Sequence, residues 1–249
     1  MIKLSDLHKT FHAGKTNEVK ALQGITLEVK SGEFLILVGA NGSGKSTLLN
    51  IISGNTFPTS GSLLIDGNNV ARLPENSRSK WIARVFQNPF SGTAEDLSIL
   101  ENFRLASLRT RQKSFKVGIN DEFKAIVKEK IASLGMGLED KILQSMGTLS
   151  GGQRQALTLL MAVMDEAKIL LLDEPTAALD PRTAEIIMKT ADKLIADYNL
   201  TSILITHNMK EAFNYGNRII QLSEGKVIRD LDKEQKSKLS AVDLYEWFM

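Results

Sequence analysis

Short apolar runs alternate with helical patterns along most of the chain. The runs are four or five residues long and several are rich in Ile, Leu and Val, which is typical of strands covered on both faces of a sheet. Between them, apolar residues recur at three- and four-residue spacing, which predicts helices. Strands that alternate with helices indicate an α/β fold with a mainly parallel central sheet. The predicted strands are Phe34–Val38, Ile169–Leu172, Ser202–Ile205 and Ile219–Leu222, and the predicted helices are Lys45–Ser53, Gly152–Met164 and Thr183–Tyr198.

The N-terminal region and one central block depart from this pattern. Ile2–Leu7 and Ile25–Val29 alternate apolar and polar residues, and Ser62–Asp66 follows a glycine-containing turn. These segments predict an N-terminal antiparallel β subdomain with one wetter face. Residues 88–160 contain no good strand and several helical stretches, so we expect an inserted helical subdomain there.

A length of 249 residues suits one larger domain that carries such an insertion. We expect this domain to span residues 1–229. Residues 230–249 then form a short charged C-terminal extension, in which Leu239–Phe248 is predicted to be one helix.

Composition and charge exclude several classes of function. The chain has no cysteine, which rules out disulfides and thiolate metal sites. Its net charge is only +2, so no nucleic-acid partner is expected, and the basic bias of Arg104–Lys130 is typical of a solvated helix face. The apolar stretches, such as Phe34–Ala40, are far too short to span a bilayer. Any link to a membrane is therefore expected to run through a partner.

A glycine-rich loop stands between the strand that ends at Val38 and the helix that begins at Lys45. It fits the G-x-x-x-x-G-K-S pattern, whose backbone N–H groups and helix N-terminus surround phosphate groups. Lys45 is expected to reach the β- and γ-phosphates of ATP, and the Ser46 hydroxyl to ligate Mg²⁺. The expected nucleotide contacts here are Gly39, Asn41, Gly42, Ser43, Gly44, Lys45, Ser46 and Thr47.

Two carboxylates end the apolar strand that begins at Ile169. Asp173, at the strand tip, is predicted to hold Mg²⁺ directly or through water. Because side chains alternate along a strand, we expect Glu174 to point the other way and to orient the attacking water.

A second glycine motif, Leu149-Ser150-Gly151-Gly152-Gln153, precedes a helical pattern. By itself it could be only a capped helix start. With the two motifs above, the chain resembles the ATP-binding cassette (ABC) ATPases of transporters over residues 1–229. This resemblance implies a P-loop NTPase fold, and it implies that Ser150, Gly151, Gly152 and Gln153 contact the ATP of another subunit.

Further residues take roles from the same resemblance. Phe11 looks like the aromatic residue that stacks on adenine, although a core position is the alternative. Gln87 looks like the glutamine that senses the γ-phosphate and Mg²⁺, and His207 looks like the switch histidine at the γ-phosphate. Asp180 closes Ala177-Ala178-Leu179-Asp180, which looks like the loop that crosses to the other subunit.

The resemblance also implies partners. Two copies of the chain close head to tail on two ATP molecules, with Mg²⁺, and drive an integral membrane permease from the cytoplasmic face of the membrane. An extracytoplasmic substrate-binding protein is expected to act through that permease. The segments Gly92-Thr93-Ala94 and Ser98–Phe103 are similar to a subgroup of importer ATPases for aromatic amino acids.

Alternative functions exist within the same superfamily. A soluble scaffold ATPase, of the iron–sulfur-assembly type, also has one cassette of similar length, but such proteins usually vary the motifs that are intact here. A nucleic-acid-handling relative would need long coiled coils or a second cassette, and the sequence predicts neither. If a permease docks on the insertion, some of the apolar side chains of Phe90, Leu97, Ile99, Leu100 and Phe103 are expected to form the pocket that receives it. The alternative is that these side chains pack the core of the insertion itself.

Overall fold

A six-stranded, mainly parallel sheet forms the centre of the computed structural model, which describes residues 1–109, 118–240, 242, 243 and 247. Its strand order is β10-β9-β3-β8-β7-β6, and only the β9–β10 pair is antiparallel. The predicted α/β fold is confirmed, and the four predicted strands match β3, β7, β8 and β9 to within one residue at each end. The strands are β3 (Phe34–Val38), β6 (Ile82–Val85), β7 (Ile169–Asp173), β8 (Thr201–Ile205), β9 (Arg218–Ser223) and β10 (Lys226–Leu231).

A second, four-stranded sheet is antiparallel and has the order β2-β1-β4-β5. The predicted antiparallel character of the N-terminal region is therefore confirmed. Its inward face packs on the central sheet, because buried aliphatic residues of both sheets and of the first helix share one core. The strands are β1 (Ile2–Phe11), β2 (Val19–Val29), β4 (Ser60–Ile65) and β5 (Asn68–Asn69).

Helices cover the other face of the central sheet and join its strands. The described elements between β6 and β7 are helical, apart from one isolated bridge between Ser98 and Ser145. Within the described residues, no helix is both long and apolar enough to cross a bilayer. The helices are α1 (Lys45–Ser53), α2 (Glu75–Arg78), α3 (Ile99–Ala106), α4 (Asp121–Ala132), α5 (Gly151–Ala162), α6 (Pro181–Asp197), α7 (Met209–Asn214) and α8 (Lys233–Ser237), with a 3-10 turn at Met146–Thr148.

Two strands of the central sheet were not among the predicted apolar runs. β6 carries Arg84 in the middle of a four-residue strand, and this charge interrupts the hydrophobic pattern. β10 is an edge strand with mostly exposed side chains, so it has no continuous apolar run. Hydrophobic periodicity is weak in edge strands and in short strands that a charged residue interrupts.

Three of the five apolar residues proposed to receive a permease are instead buried inside the protein. Ile99, Leu100 and Phe103 are at most 2% exposed and pack in the helical core, so their assignment to a docking surface was wrong. Their spacing places them on the inward face of α3. Phe90, by contrast, is 51% exposed.

Trp247, one of the described C-terminal residues, packs against the core of the central sheet. Helix α8 begins at an Asp232 capping box and is short, whereas half of the residues of the helix predicted at Leu239–Phe248 lie outside the described residues. Trp247 is buried, and its carbonyl accepts a hydrogen bond from Gln221 Nε2 at 2.9 Å. The predicted basic bias of Arg104–Lys130 also lies in part outside the described residues, which omit 110–117.

The parallel strands all deliver their carboxyl ends to one edge of the sheet. The loop after β3, the two carboxylates that end β7 and the segment after β8 therefore meet there, and Gln87 follows β6 at the same edge. This is the edge at which open parallel sheets place their ligand sites.

Candidate active site

The loop between β3 and α1 depends on glycine at two positions. Gly39 has φ 142° and Gly44 has φ 105°, which L side chains rarely adopt. A Cβ atom on Gly39 would stand 2.1 Å from the Leu222 carbonyl oxygen, and one on Gly44 would stand 2.6 Å from the Ala21 carbonyl oxygen. The loop thus keeps its tight path against the neighbouring strands only without side chains at these positions.

Lys45 is the first residue of α1 and its ammonium lies inside this loop. The residue is 4% exposed, and its Nζ donates to the Gly39 carbonyl at 2.7 Å and to the Ala40 carbonyl at 2.9 Å. Burial lowers the pKa of Lys45, and the nearby carboxylates of Glu174 and Asp173 oppose that change. A cation held beside a helix N-terminus is suited to bind phosphate oxygens.

A cavity of about 450 Å³ opens beside the loop. Phe11 stands half-buried in its wall, with the Lys9 ammonium 4.7 Å from the centre of its ring. An aromatic wall at one end and a phosphate-binding loop at the other match the two ends of a nucleotide. Of the residues that the sequence assigns to the site, the cavity brings together Phe11, Asn41, Gly42, Gly44, Lys45, Ser46, Thr47, Glu174 and His207.

Three polar residues from different loops meet at the edge of this cavity. Glu174 Oε1 lies 2.7 Å from His207 Nε2, and Glu174 Oε2 accepts a hydrogen bond from Gln87 Nε2 at 3.1 Å. The Glu174 side chain is only 14% exposed, so little water competes with the two contacts that restrain its carboxylate. The three residues expected to act in catalysis are thus neighbours.

The orientation of the Glu174 side chain is not explained by the alternation of side chains along a strand. Its φ of 47° lies in the left-handed region, so the chain has already left the extended conformation of β7. Its N–H still donates to the Ile205 carbonyl at 3.0 Å, which anchors the turn. The two carboxylates do have different partners, but the physical reason is this turn and not the two-residue period of a strand.

Asp173 has a partner that the sequence reasoning missed. Its Oδ2 accepts a hydrogen bond from Arg84 Nη2 at 2.6 Å, and both side chains are nearly buried. The available signal was a single charged residue within the apolar run that leads to Gln87. Such a residue needs a counter-charge when it is buried.

The second glycine motif forms the N-terminus of α5 and lies outside the cavity's described lining. Ser150 caps the helix: its Oγ accepts from Gln153 N at 3.3 Å, and its N–H donates to Gln153 Oε1 at 3.1 Å. Gly152 is buried against α6, where a Cβ atom would stand 2.3 Å from Thr183 Cγ2. Ser150 itself is exposed, and Gly151 is half-buried.

Asp180 caps helix α6 in the same way. Its Oδ1 accepts from Arg182 N and Thr183 N, both at 3.1 Å. Hydrogen bonds from Thr183, first from its side chain and then from its backbone, lower the pKa of this carboxyl group. The residue is exposed at the surface and does not line the described part of the cavity.

The residues present fit a magnesium nucleotide. No cluster of three or more His, Asp or Glu that could hold a metal occurs among the described residues, so the protein alone offers few ligands. The Ser46 hydroxyl and the Asp173 carboxylate are hard oxygen donors, and Mg²⁺ is commonly held by one or two such groups together with substrate phosphates and water. Within the described part of the chain, the buried Ser43 hydroxyl also has no hydrogen-bond partner, which leaves a polar group at the loop for a ligand.

Comparison with known proteins gives consistent matches. A family model described as ABC transporter matches residues 22–177. The chain is 34% identical over 250 residues to a tyrosine transport ATP-binding protein of Clostridioides difficile (strain R20291), covering 100% of this chain and 98% of that protein. It is 36% identical over 227 residues to a putative hemin import ATP-binding protein of Staphylococcus epidermidis (strain ATCC 35984), covering 90% of this chain and 97% of that protein.

A solved structure shares the fold. It is a dimeric post-hydrolysis state of an ATP-binding cassette bound to ADP and Pi, with a TM-score of 0.79 and 32% sequence identity. The match covers 94% of this chain and 99% of that chain.

Proposed function

The chain belongs to the ABC transporter family as one of its ATPase subunits, and on that basis we propose that two copies of it close head to tail on two ATP molecules and drive a separate membrane permease. The single observation that carries this proposal is the meeting of Gln87, Glu174 and His207 beside the Lys45 loop. We propose import of small molecules such as amino acids as the direction and cargo. Support comes from the relative named for tyrosine transport and from two relatives named for import, one of hemin and one of phosphonates.

Binding is assigned to the loop and the cavity wall. Lys45 exchanges its two carbonyl partners for β- and γ-phosphate oxygens, and the α1 N-terminus adds its positive end. Phe11 packs on the adenine ring. Ser46, Asp173 and Gln87 would hold Mg²⁺, which would neutralise part of the phosphate charge.

Hydrolysis is assigned to Glu174. Its carboxylate accepts a hydrogen bond from the attacking water and orients that water toward the γ-phosphorus. Gln87 and His207 hold the carboxylate from two sides, so little rearrangement is needed when the reaction begins. His207 remains close enough to respond to the γ-phosphate once Glu174 engages water.

The second copy completes each site. Ser150, at the start of α5, is exposed, and the Ser150–Gln153 segment lies away from its own chain's described cavity lining, so we propose that this helix start clamps the γ-phosphate bound by the partner copy. The Asp180 loop is assigned to the same contact between copies. Hydrolysis removes the bridging phosphate, and the pair opens.

Ser150→Arg is expected to block this closure. The isolated chain should bind ATP within about twofold of the wild-type affinity, because a surface change distant from the cavity has little effect on it. ATP should then fail to increase the molar mass in light scattering, since the new side chain occupies the place of a phosphate. Equilibrium binding and light scattering on the same samples check both parts.

Ser150→Ala is the matched control because it removes the helix cap without adding bulk. It should cost about 1 kcal/mol of stability and weaken, not abolish, ATP-dependent association. Loss of ATP binding by the Ser150→Arg monomer would place Ser150 in its own chain's site and contradict the proposal.

The permease is proposed to dock beside Phe90 from the cytoplasmic side of the membrane, and an extracytoplasmic binding protein is proposed to deliver the cargo. Phe90 follows Gln87 closely in sequence, so a movement of Gln87 at the nucleotide can be transmitted to the surface around Phe90. Its exposed ring packs on the Arg154 guanidinium at 4.3 Å, and Arg154 Nη1 is paired with Glu95 Oε1 at 2.8 Å. Leu97, also half-exposed, belongs to the same segment.

Phe90→Glu is expected to abolish co-purification with the permease and transport in cells. The Arg154 guanidinium can receive the new carboxylate, so the local fold should persist and basal ATP hydrolysis should stay within about twofold. Phe57→Glu is the control, because Phe57 is 38% exposed on a different loop and should tolerate the charge with transport intact. If Phe90→Glu and Leu97→Glu both keep assembly and transport, the permease binds elsewhere.

The scaffold ATPase alternative predicts a different result in one experiment. A scaffold of that kind would be recovered with assembly proteins and without an integral membrane protein. A transporter subunit should be recovered with a polytopic permease, and detergent extraction should be required to release it.

A further inference from the structure

Arg84 bonds to residues of two neighbouring elements, strand β7 and helix α1. It lies on β6, and its side chain is only 9% exposed. Its Nη2 donates to Asp173 Oδ2 at 2.6 Å, while its Nη1 lies 2.8 Å from Asn50 Oδ1 and 3.4 Å from Ser53 Oγ. One guanidinium therefore connects the end of β7 to α1, the helix that begins at the phosphate loop.

The strand that carries Arg84 also carries the segment that reaches Glu174. Gln87 follows Arg84 by three residues and donates to Glu174, while Arg84 donates to the adjacent carboxylate of Asp173. The guanidinium carbon lies 4.8 Å from the centre of the Phe86 ring, which helps to fix its plane. Each of the two carboxylates thus accepts a hydrogen bond from a different side chain in or just after β6: Asp173 from Arg84 and Glu174 from Gln87.

The geometry restrains the oxygen that a metal would use. Because Oδ2 is fixed by a charge-assisted hydrogen bond, the carboxylate of Asp173 cannot rotate freely, and its other oxygen keeps one orientation. In metal sites, hydrogen bonds to a ligating carboxylate set its orientation, and removing the partner typically costs 10–100-fold in metal affinity or activity, as an order of magnitude.

We propose that Arg84 is a positioning residue that holds Asp173 for the magnesium ion of the bound nucleotide. This inference rests on the proposed function, since it assumes that Asp173 serves a metal–nucleotide complex. A purely electrostatic role would have the opposite sign, because a guanidinium repels Mg²⁺ and its removal would strengthen metal binding. The direction of the change in metal affinity therefore separates positioning from simple charge repulsion.

The test uses Mn²⁺ as the metal probe and ADP as the nucleotide, with free Mn²⁺ read by its electron paramagnetic resonance signal. Arg84→Met is expected to weaken Mn²⁺ binding to the protein–ADP complex by about tenfold or more. Its affinity for ADP in EDTA should stay within about twofold of wild type, because the loop and Lys45 are unchanged. Arg84→Lys, which keeps the charge but spans fewer partners, should recover part of the loss.

Arg78→Met is the matched control. Arg78 is completely buried, and it donates to the backbone carbonyls of Leu73 at 2.8 Å and Ile52 at 2.9 Å. Ile52 lies at the C-terminal end of α1, the end that Arg84 also contacts, but none of the described hydrogen bonds of Arg78 reaches Asp173. Its loss should lower the melting temperature and leave the Mn²⁺ affinity within about twofold of wild type.

The outcomes are distinguishable. If Arg84→Met binds Mn²⁺–ADP as tightly as wild type or more tightly, or if Arg78→Met weakens it equally, the positioning role is overturned while the proposed function stands. If the wild-type protein itself adds nothing to the affinity of ADP for Mn²⁺, the metal role of Asp173 in the proposed function fails, and the inference fails with it.

Discussion

Replacing Glu174 with Gln is expected to lower the turnover of ATP by about 10²–10⁴, the usual contribution of a positioned acid–base group. The amide keeps the shape of the side chain and still hydrogen-bonds to Gln87 and His207, so the site should remain assembled. What it loses is the negative oxygen that receives a hydrogen bond from water. Phosphate release measured with saturating MgATP, alongside nucleotide binding, checks the prediction.

Glu185→Gln is the matched control for this substitution. Glu185 is exposed, and it pairs with Lys189 on the surface of α6 at 2.7 Å. An exposed ion pair of this kind contributes little to stability, so its loss should leave the fold intact and turnover at the wild-type level. Near-normal turnover in Glu174→Gln itself would remove this residue from the catalytic role.

Lys45→Ala is expected to weaken MgATP binding by about tenfold to a hundredfold, which corresponds to the value of a hydrogen bond to a charged group. The ammonium is buried within the loop, where it donates to the Gly39 and Ala40 carbonyls. Equilibrium titration with a fluorescent ATP analogue gives the dissociation constant.

Lys168→Ala controls for the loss of a positive charge. Lys168 makes an exposed ion pair with Asp66 at 2.8 Å, and it is not among the described residues that line the cavity. Its removal should leave the dissociation constant within about twofold of wild type. A wild-type dissociation constant for Lys45→Ala, in a protein with an unchanged melting temperature, would exclude Lys45 from phosphate binding.

Four strands of the central sheet and the phosphate loop were predictable because their signals are local. Phe34–Val38 and Lys45–Ser53 have the predicted bounds, since an apolar run, a glycine-rich loop and a helical pattern follow one another directly. Other parts depend on residues far apart in sequence. The burial of Ile99, Leu100 and Phe103 in the helical core is decided by tertiary packing, which sequence periodicity alone could not distinguish from a docking surface.

The candidate site also combines features that the local sequence reveals with features that depend on residues far apart in the chain. The residue types of Asp173 and Glu174 were recognisable, but the Arg84 partner of Asp173 is 89 positions away and no local pattern reveals it. The turn at Glu174, with its φ of 47°, could not be read from a rule that assumes an extended strand. Sequence rules fail most often at residues whose conformation or charge serves the site but departs from the local pattern.

The most direct test of the proposed closure of two copies on ATP is the molar mass of Glu174→Gln, measured by light scattering in MgATP and in MgADP. The chain has a mass of 27.5 kDa. We expect twice this mass in ATP, because bound γ-phosphate joins Lys45 of one copy to Ser150 of the other and is not hydrolysed, and the single mass in ADP. A single mass at saturating ATP, with ATP demonstrably bound, would contradict the account.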